Sequence, residues 1–317
     1  MLFGKQVEKI YRSNIYARQD NAHGIFYFSP EDFPGLQVHP YGFKAKAGHD
    51  LNGFFYHYDD PIPGRLVVFD HGLGNGHLAY LREIEMLARA GFLVYTYYHT
   101  GCMTSGGPDT QGFAQSLNDL DQCIKAMKAE PALSGRTISV MGHSWGGFST
   151  GNIAALHPDV SHIVVLSGFI SVEAIVSQFF GGIMGGYRKP IMAMDPNPEY
   201  NRHCSVDSLG NSEAKILLVY SDNDKLVGKA AHFDVLKSAL SHKDNVRFLL
   251  VHNKGHNPNY TEDAVKYLGE YSSAVSKQQK KLKTEAEKKA FRDSWDWDRM
   301  TAQDEAVWTE IFETLDT

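Results

Sequence analysis

Residues 137–156 read TISVMGHSWGGFSTGNIAAL. The first five are an apolar, β-branched run, the reading of a buried strand. Gly142, Gly146 and Gly147 follow within six residues, and a small-residue, apolar stretch comes next. A strand that turns sharply on glycine into a helix is the repeating unit of an α/β sheet. Working outward, similar short apolar runs occupy 65–69 (RLVVF), 92–98 (FLVYTYY), 162–166 (HIVVL), 215–220 (KILLVY) and 246–251 (VRFLLV). Their hydrophobicity is nearly continuous rather than alternating, so both faces of each strand are buried, as in a parallel sheet. Helical stretches lie between them at 77–90, 113–128, 146–156, 230–240 and 262–271. The alternation predicts an open, mostly parallel α/β sheet flanked by helices. Upstream, 37–58 alternates around Ala47-Gly48-His49, which predicts an antiparallel hairpin at one edge of the sheet.

Two segments break the rhythm. Residues 170–211 hold GGIMGGYRKP and DPNPEYN where one crossover helix would suffice, and they read as a small inserted cap. The tail 273–317 is rich in charge of both signs and carries Trp295, Trp297 and Trp308. Thr301 with Asp304 resembles a helix N-cap arrangement. Val307, Trp308, Ile311, Phe312 and Leu315 then follow helical spacing. This predicts a helix packed on the core, with a homodimer contact or a cover over the active site as alternatives. The expected organisation is therefore a core of 1–169 and 212–272, including an N-terminal hairpin and extension, a cap over 170–211 and a helical extension over 273–317.

The chain has 317 residues, with 31 Lys and Arg against 37 Asp and Glu, a formal charge of −6. Such a balance does not suit non-specific nucleic-acid binding, which needs a basic surface. Three cysteines without a CxxC pair fit a reducing, cytoplasmic setting and no disulfide framework. The first residues lack the apolar stretch of a signal peptide. No apolar run is long enough to span a membrane. The 15 histidines raise the question of a metal. His252 and His256 stand four apart, but Gly255 and Pro258 place them in a loop rather than on a helix. HExxH does not occur, and neither metal nor cofactor is expected.

Gly142-His143-Ser144-Trp145-Gly146 fits G-x-S-x-G in the context that motif requires, strand before and helix after. The turn presents Ser144 at the carboxyl edge of the sheet, where α/β folds bind ligands. His71-Gly72-Leu73-Gly74 follows the strand 65–69 directly. Together these motifs resemble the α/β-hydrolase superfamily. The resemblance implies the α/β-hydrolase fold with a small inserted cap and a Ser-acid-His order along the chain. It covers about 37–271 and departs from the usual pattern at Ser221, where members often carry Gly, and in the tail. It implies Ser144 as nucleophile, the N–H groups of Leu73 and Trp145 as an oxyanion hole, and His71 as a loop-ordering residue. Asp224, after the strand 215–220, is the implied acid. Asp222 is its rival, and Glu173 a further alternative at the end of the preceding strand. His256, in Gly255-His256 after the last strand, is the implied base.

The expected function is a serine hydrolase, a carboxylesterase acting on small or medium acyl esters through an acyl-enzyme. Its expected partner is a small-molecule acyl substrate. A serine peptidase or aminopeptidase, or a thioesterase, on the same site stays open; Glu173 or Glu199 in the cap would then hold a peptide's amine. A non-catalytic binding protein on the same fold is the alternative of another class. His99, at a strand end, is a candidate for the pocket wall, as are Phe179 and Met184. Cys102 has no base assigned to it and reads as passive.

Overall fold

The structure, a computed structural model, describes residues 2–20, 25–59, 61–74, 76–278 and 281–316; the side chains of 2–5 and 182–184 also fall outside the described set. One eight-stranded sheet runs through it: β1 Gln37–Lys44, β2 Asp50–His57, β3 Arg65–Asp70, β4 Leu93–Tyr97, β5 Thr137–His143, β6 His162–Leu166, β7 Lys215–Ser221 and β8 Val246–Val251. Their order is β1-β2-β4-β3-β5-β6-β7-β8. β1 pairs with β2, and β2 with β4, antiparallel. All pairs from β4 through β8 are parallel. The hairpin thus lies at one edge, as the alternating pattern predicts.

Side chains alternate between two core layers. Leu66, Val68, Val140, Val165 and Leu218 face one layer. Val67, Phe69, Met141, Val164 and Leu217 face the other. From β3 to β7 both faces are covered, which is why those strands are nearly continuous apolar runs; β1, at the edge, is largely exposed.

The helices are α1 Leu2–Tyr11, α2 Leu81–Arg89, α3 Gln115–Ala129, α4 Trp145–Asn152, α5 Val172–Phe179, α6 Arg188–Met192, α7 Pro198–Asn201, α8 Ser205–Gly210, α9 Phe233–Leu240, α10 Glu262–Gln278, α11 Glu285–Asp293, α12 Trp297–Met300 and α13 Glu305–Leu315. The stretch 77–90 opens with a 3-10 turn, His77–Tyr80, before α2 begins. The helix expected over 262–271 runs on to Gln278. Residues 170–211 hold α5 to α8 and a 3-10 turn at Gly182–Tyr187, and none of Gly181, Gly182, Gly185 and Gly186 takes a positive φ.

In the tail, Asp304 alone caps α13, accepting from the N–H groups of Ala306 and Val307. Thr301 is instead the C-cap that follows α12, where its hydroxyl donates to the Trp297 carbonyl. The cap therefore sits three residues later than the Thr301–Asp304 pattern suggests, because Thr301 is used to close the preceding helix. Val307, Trp308, Ile311 and Leu315 are buried against the layer that holds Val164 and Leu217. Trp308 is 1% exposed and donates to Gln303 Oε1 at 2.8 Å. Burial of a side chain of this class contributes about 1.5–3 kcal/mol, so α13 is part of the core rather than an appendage.

Candidate active site

β5 ends at His143, and α4 begins at Trp145. The single residue between them, Ser144, has φ 57° and ψ −110°. A non-glycine residue with positive φ is strained, and a nucleophile elbow stores strain in this way. The turn is fixed by Ser144 N–H donating to Leu166 O at 2.9 Å and Phe148 N–H donating to Ser144 O at 2.9 Å. The glycines on either side are required sterically. A Cβ on Gly142 would run into the Gly146 backbone, and one on Gly146 into the Asp70 carbonyl.

Three loops at the sheet's carboxyl edge converge on this serine. His256 Nε2 lies 2.8 Å from Ser144 Oγ, and its Nδ1 lies 2.7 Å from Asp224 Oδ2. The Asp224 side chain is wholly buried. Burial works against its ionisation, but His256 and the N–H groups of Val227 and Leu226 outweigh that and hold its carboxyl below the ordinary value. Asp222 does not reach His256; it binds His252 Nδ1 at 2.7 Å and the Asn253 N–H, at the surface. The two histidines thus serve two separate carboxylates. Glu173 lies exposed in the first turn of α5, away from this relay. Ser221 joins the two loops: its hydroxyl donates to Asn223 Oδ1 and accepts from the Lys254 N–H.

Trp145 opens α4, so its N–H belongs to the first turn and has no partner within the helix. Its indole is buried and donates to Phe113 O at 2.7 Å, which anchors that end of the helix. Leu73 borders the same cavity as Ser144. The loop before it is held by His71, fully buried, with Nδ1 2.8 Å from Gly72 O. The His99 N–H donates to His71 Nε2 at 3.2 Å, so Nδ1 carries the proton. Burial and the neighbouring His99 push the His71 pKa well down, and the ring stays neutral.

His99 corrects a sequence expectation. It is wholly buried and is not among the residues that line the cavity. Its Nε2 is 2.9 Å from Asp70 Oδ1 and its Nδ1 3.3 Å from Asp119 Oδ2. Burial lowers its pKa, but the two carboxylates more than offset that and raise it to about 9. The interior of β3 and α3 claims this strand end, and its ring packs against the indole of Trp145 at 4.7 Å. Met184's side chain lies outside the described residues. Phe179 borders the cavity and is 48% exposed at its rim. Glu199, considered for a peptide amine, is an exposed partner of Lys46. Cys102 is buried, with its thiol pKa pushed up, chiefly by burial.

His143, the x of the motif, is a site residue that the sequence reading passes over. The Tyr80 hydroxyl meets its Nδ1 at 2.9 Å, and its Nε2 is 2.7 Å from the His256 carbonyl. A carbonyl can only accept, so Nε2 carries the proton and holds the His256 backbone. Burial, then the nearby His256, lower the His143 pKa to about 3. The cavity around Ser144 measures about 670 Å³. Its lining includes Phe26 and Phe28, from a segment the sequence left without a role at the site, and Trp297 and Met300 from the tail, for which a cover over the site is one of the alternatives. The only signal there is aromatic content, which does not distinguish a pocket wall from a core.

The family model described as serine aminopeptidase, S33, matches residues 61–205. None of the curated protein sequences is a significant match. Among solved structures, an esterase of Pyrococcus furiosus is similar with TM-score 0.60 and 17% identity, over 84% of this chain and 98% of that one. The acylaminoacyl peptidase of Pyrococcus horikoshii is similar with TM-score 0.54 and 16% identity, over 70% of this chain and 38% of that one. A putative dipeptidyl aminopeptidase IV from Bacteroides ovatus has TM-score 0.56 and 16% identity, over 79% of this chain and 37% of that one.

Proposed function

We propose that this chain, a member of the α/β-hydrolase superfamily, is a serine carboxylesterase that works through an acyl-enzyme on Ser144. The observation that carries the reading is the continuous relay from Ser144 Oγ through His256 to the buried Asp224. A serine hydroxyl is a weak nucleophile until a base takes its proton. His256 Nε2 takes it as Oγ attacks the ester carbonyl, and Asp224 holds the imidazole tautomer and stabilises the cation. The N–H groups of Leu73 and Trp145 receive the oxyanion, each such donor contributing about 2.7–4 kcal/mol to the barrier reduction. His256 then protonates the departing alcohol, and in the second half it draws a proton from water, which releases the acid. His71 and His143 position the oxyanion loop and the His256 backbone. Residues 170–211 act as the cap, with α5 contributing Ile175 and Phe179 to the cavity.

An ester substrate is supported by the lining itself. Among the described residues it includes no Asp, Glu, Lys or Arg, so nothing there would pair with a peptide's terminal amine. A serine peptidase is the second reading, favoured by the description of the matching family model. A peptide with a blocked amine, or a thioester, would not need an acidic anchor. The test is turnover of p-nitrophenyl butyrate and of alanine p-nitroanilide by the wild type and Ser144→Ala. The expected result is ester hydrolysis that falls about 10⁴-fold or more in the variant. Equal rates in both proteins would overturn the assignment, and faster anilide turnover would favour the peptidase.

A further inference from the structure

The cavity straddles the edge of the sheet. One wall, with Ile15, Phe113, Phe169, Ile175 and Val227, is continuous with the core layer that holds α3 and α4. The opposite wall, with Phe26, Phe28, Leu268, Tyr271, Val275 and Trp297, is continuous with the other layer. Ser144, at the end of a central strand, stands between them. The second wall is built from chain outside the eight strands and their crossover helices: the segment before β1, the long α10, and α12. It is also rigid. Phe26 stacks on Trp297 with centroids 5.9 Å apart, Phe28 meets Phe26 at 5.2 Å and Tyr271 meets Trp297 at 5.1 Å. The Trp297 indole is fixed by donating to Arg292 O at 2.8 Å. Interlocked aromatic rings of this kind offer a preformed apolar surface at little entropic cost.

We propose that this aromatic wall is a leaving-group subsite, so that the substrate is an uncharged ester apolar on both sides, with a bulky aromatic or branched alcohol. The inference rests on the esterase reading above. Its orientation follows from proton transfer: His256 must reach the leaving oxygen, so the alcohol lies on the side of His256. Asn257 and Tyr260, one and four residues after His256, carry the lining from the catalytic base into the aromatic wall. The acyl half then lies against the first wall, under Ile175 and Phe179. The bond made is Ser144 Oγ to acyl carbon, the bond broken is acyl carbon to alcohol oxygen, and the proton from Ser144 leaves on the alcohol.

Two substrate series test this. One fixes the acetyl group and enlarges the alcohol from methyl to phenyl to 2-naphthyl; the other fixes p-nitrophenol and lengthens the acyl chain from acetate to octanoate. The readout is the ratio of kcat/KM between the largest and smallest member within each series, which a partly folded preparation does not change. Val275→Trp and the exposed Ser272→Trp narrow the aromatic wall independently, and each is expected to lower the alcohol-series ratio at least tenfold while shifting the acyl-series ratio far less. Phe179→Ala is expected to act on the acyl series instead. Ratios that stay within twofold, that shift equally in both series, or that shift the other way round overturn the subsite. Wild-type protein that neither labels with a fluorophosphonate nor turns over any ester overturns the serine esterase reading instead.

Discussion

Lys254, two residues before His256, forms an ion pair with Asp304, the N-cap of α13. The lysine is 7% exposed and also donates to the Tyr260 carbonyl. Two backbone bonds reinforce the link: Asp304 N–H to Asn259 O at 2.8 Å and Thr261 N–H to Ala302 O at 2.9 Å. The tail therefore braces the loop that carries His256. Asp304→Ala removes a helix cap, about 1 kcal/mol, and leaves a buried ammonium without its partner, about 3–5 kcal/mol where burial is complete. Urea denaturation should show a loss of about 3 kcal/mol, with kcat falling more than KM rises. Asp304→Asn keeps the cap and should lose visibly less.

The two aspartates of the acid loop should separate cleanly. Asp224→Asn leaves the geometry but disfavours the correct imidazole tautomer, a change that costs about 10⁴-fold in kcat in serine hydrolases of this design. Asp222→Asn loses only the surface partner of His252 and should leave kcat nearly unaltered. Steady-state ester kinetics on the two variants measure both. Comparable losses would give Asp222 a share in the relay.

His99 lies between two buried carboxylates, so His99→Phe removes the cationic partner of both and leaves them only neutral donors, Ser149 for Asp70 and Thr100 and Gln115 for Asp119. The expected destabilisation is about 3–5 kcal/mol. The wild type adds a signature of its own. Because the folded pKa of about 9 lies above the ordinary 6.5, the stabilisation is complete below pH 6.5 and drains away as pH rises through 9. Denaturation midpoints taken from pH 6 to pH 10 should fall over that window in the wild type and not in the variant.

Glu83 offers a second titration in a different range. It is 1% exposed and receives the Asn259 side-chain amide at 3.1 Å. Burial raises its pKa to about 7, against smaller opposing contributions from its hydrogen bonds, Asn259 among them. Its contribution to stability is whole below pH 4.5 and is lost as pH rises through 7, on the order of 3 kcal/mol in all. Glu83→Gln keeps an acceptor for Asn259 without the charge. It should be more stable than the wild type at pH 8, and thermal melts at pH 5 and pH 8 decide the point.

The strands and the relay are legible in the sequence for different reasons. Runs such as 162–166 and 215–220 show because strands covered on both faces exclude polar side chains. Ser144, Asp224 and His256 show because each follows a strand in a fixed order, with glycines that the turns require. What stays hidden depends on contacts that no local period encodes. Phe26 meets Trp297 across most of the chain. His143 reads as a spacer, although its ring nitrogen holds the His256 carbonyl. His99 reads as a pocket residue because strand ends usually border ligands, but Asp70 and Asp119 draw it inward. Thr301 fits a capping pattern that only the end of α12 reveals to be occupied.

The stacking of Phe26 on Trp297 also orders events on the ribosome. A nascent chain contains all three members of the relay once residue 256 has emerged. The cavity's aromatic wall must wait for some forty residues more, and until then one side of Ser144 stands open to water. Long-range closure of this kind comes late in folding. An interrupted translation product would carry Ser144, Asp224 and His256 but neither the walled cleft nor the Asp304 that braces the His256 loop. On the proposed function, turnover of a bulky ester is then expected only once synthesis has passed Asp304, with the aromatic wall and the brace on the His256 loop both in place.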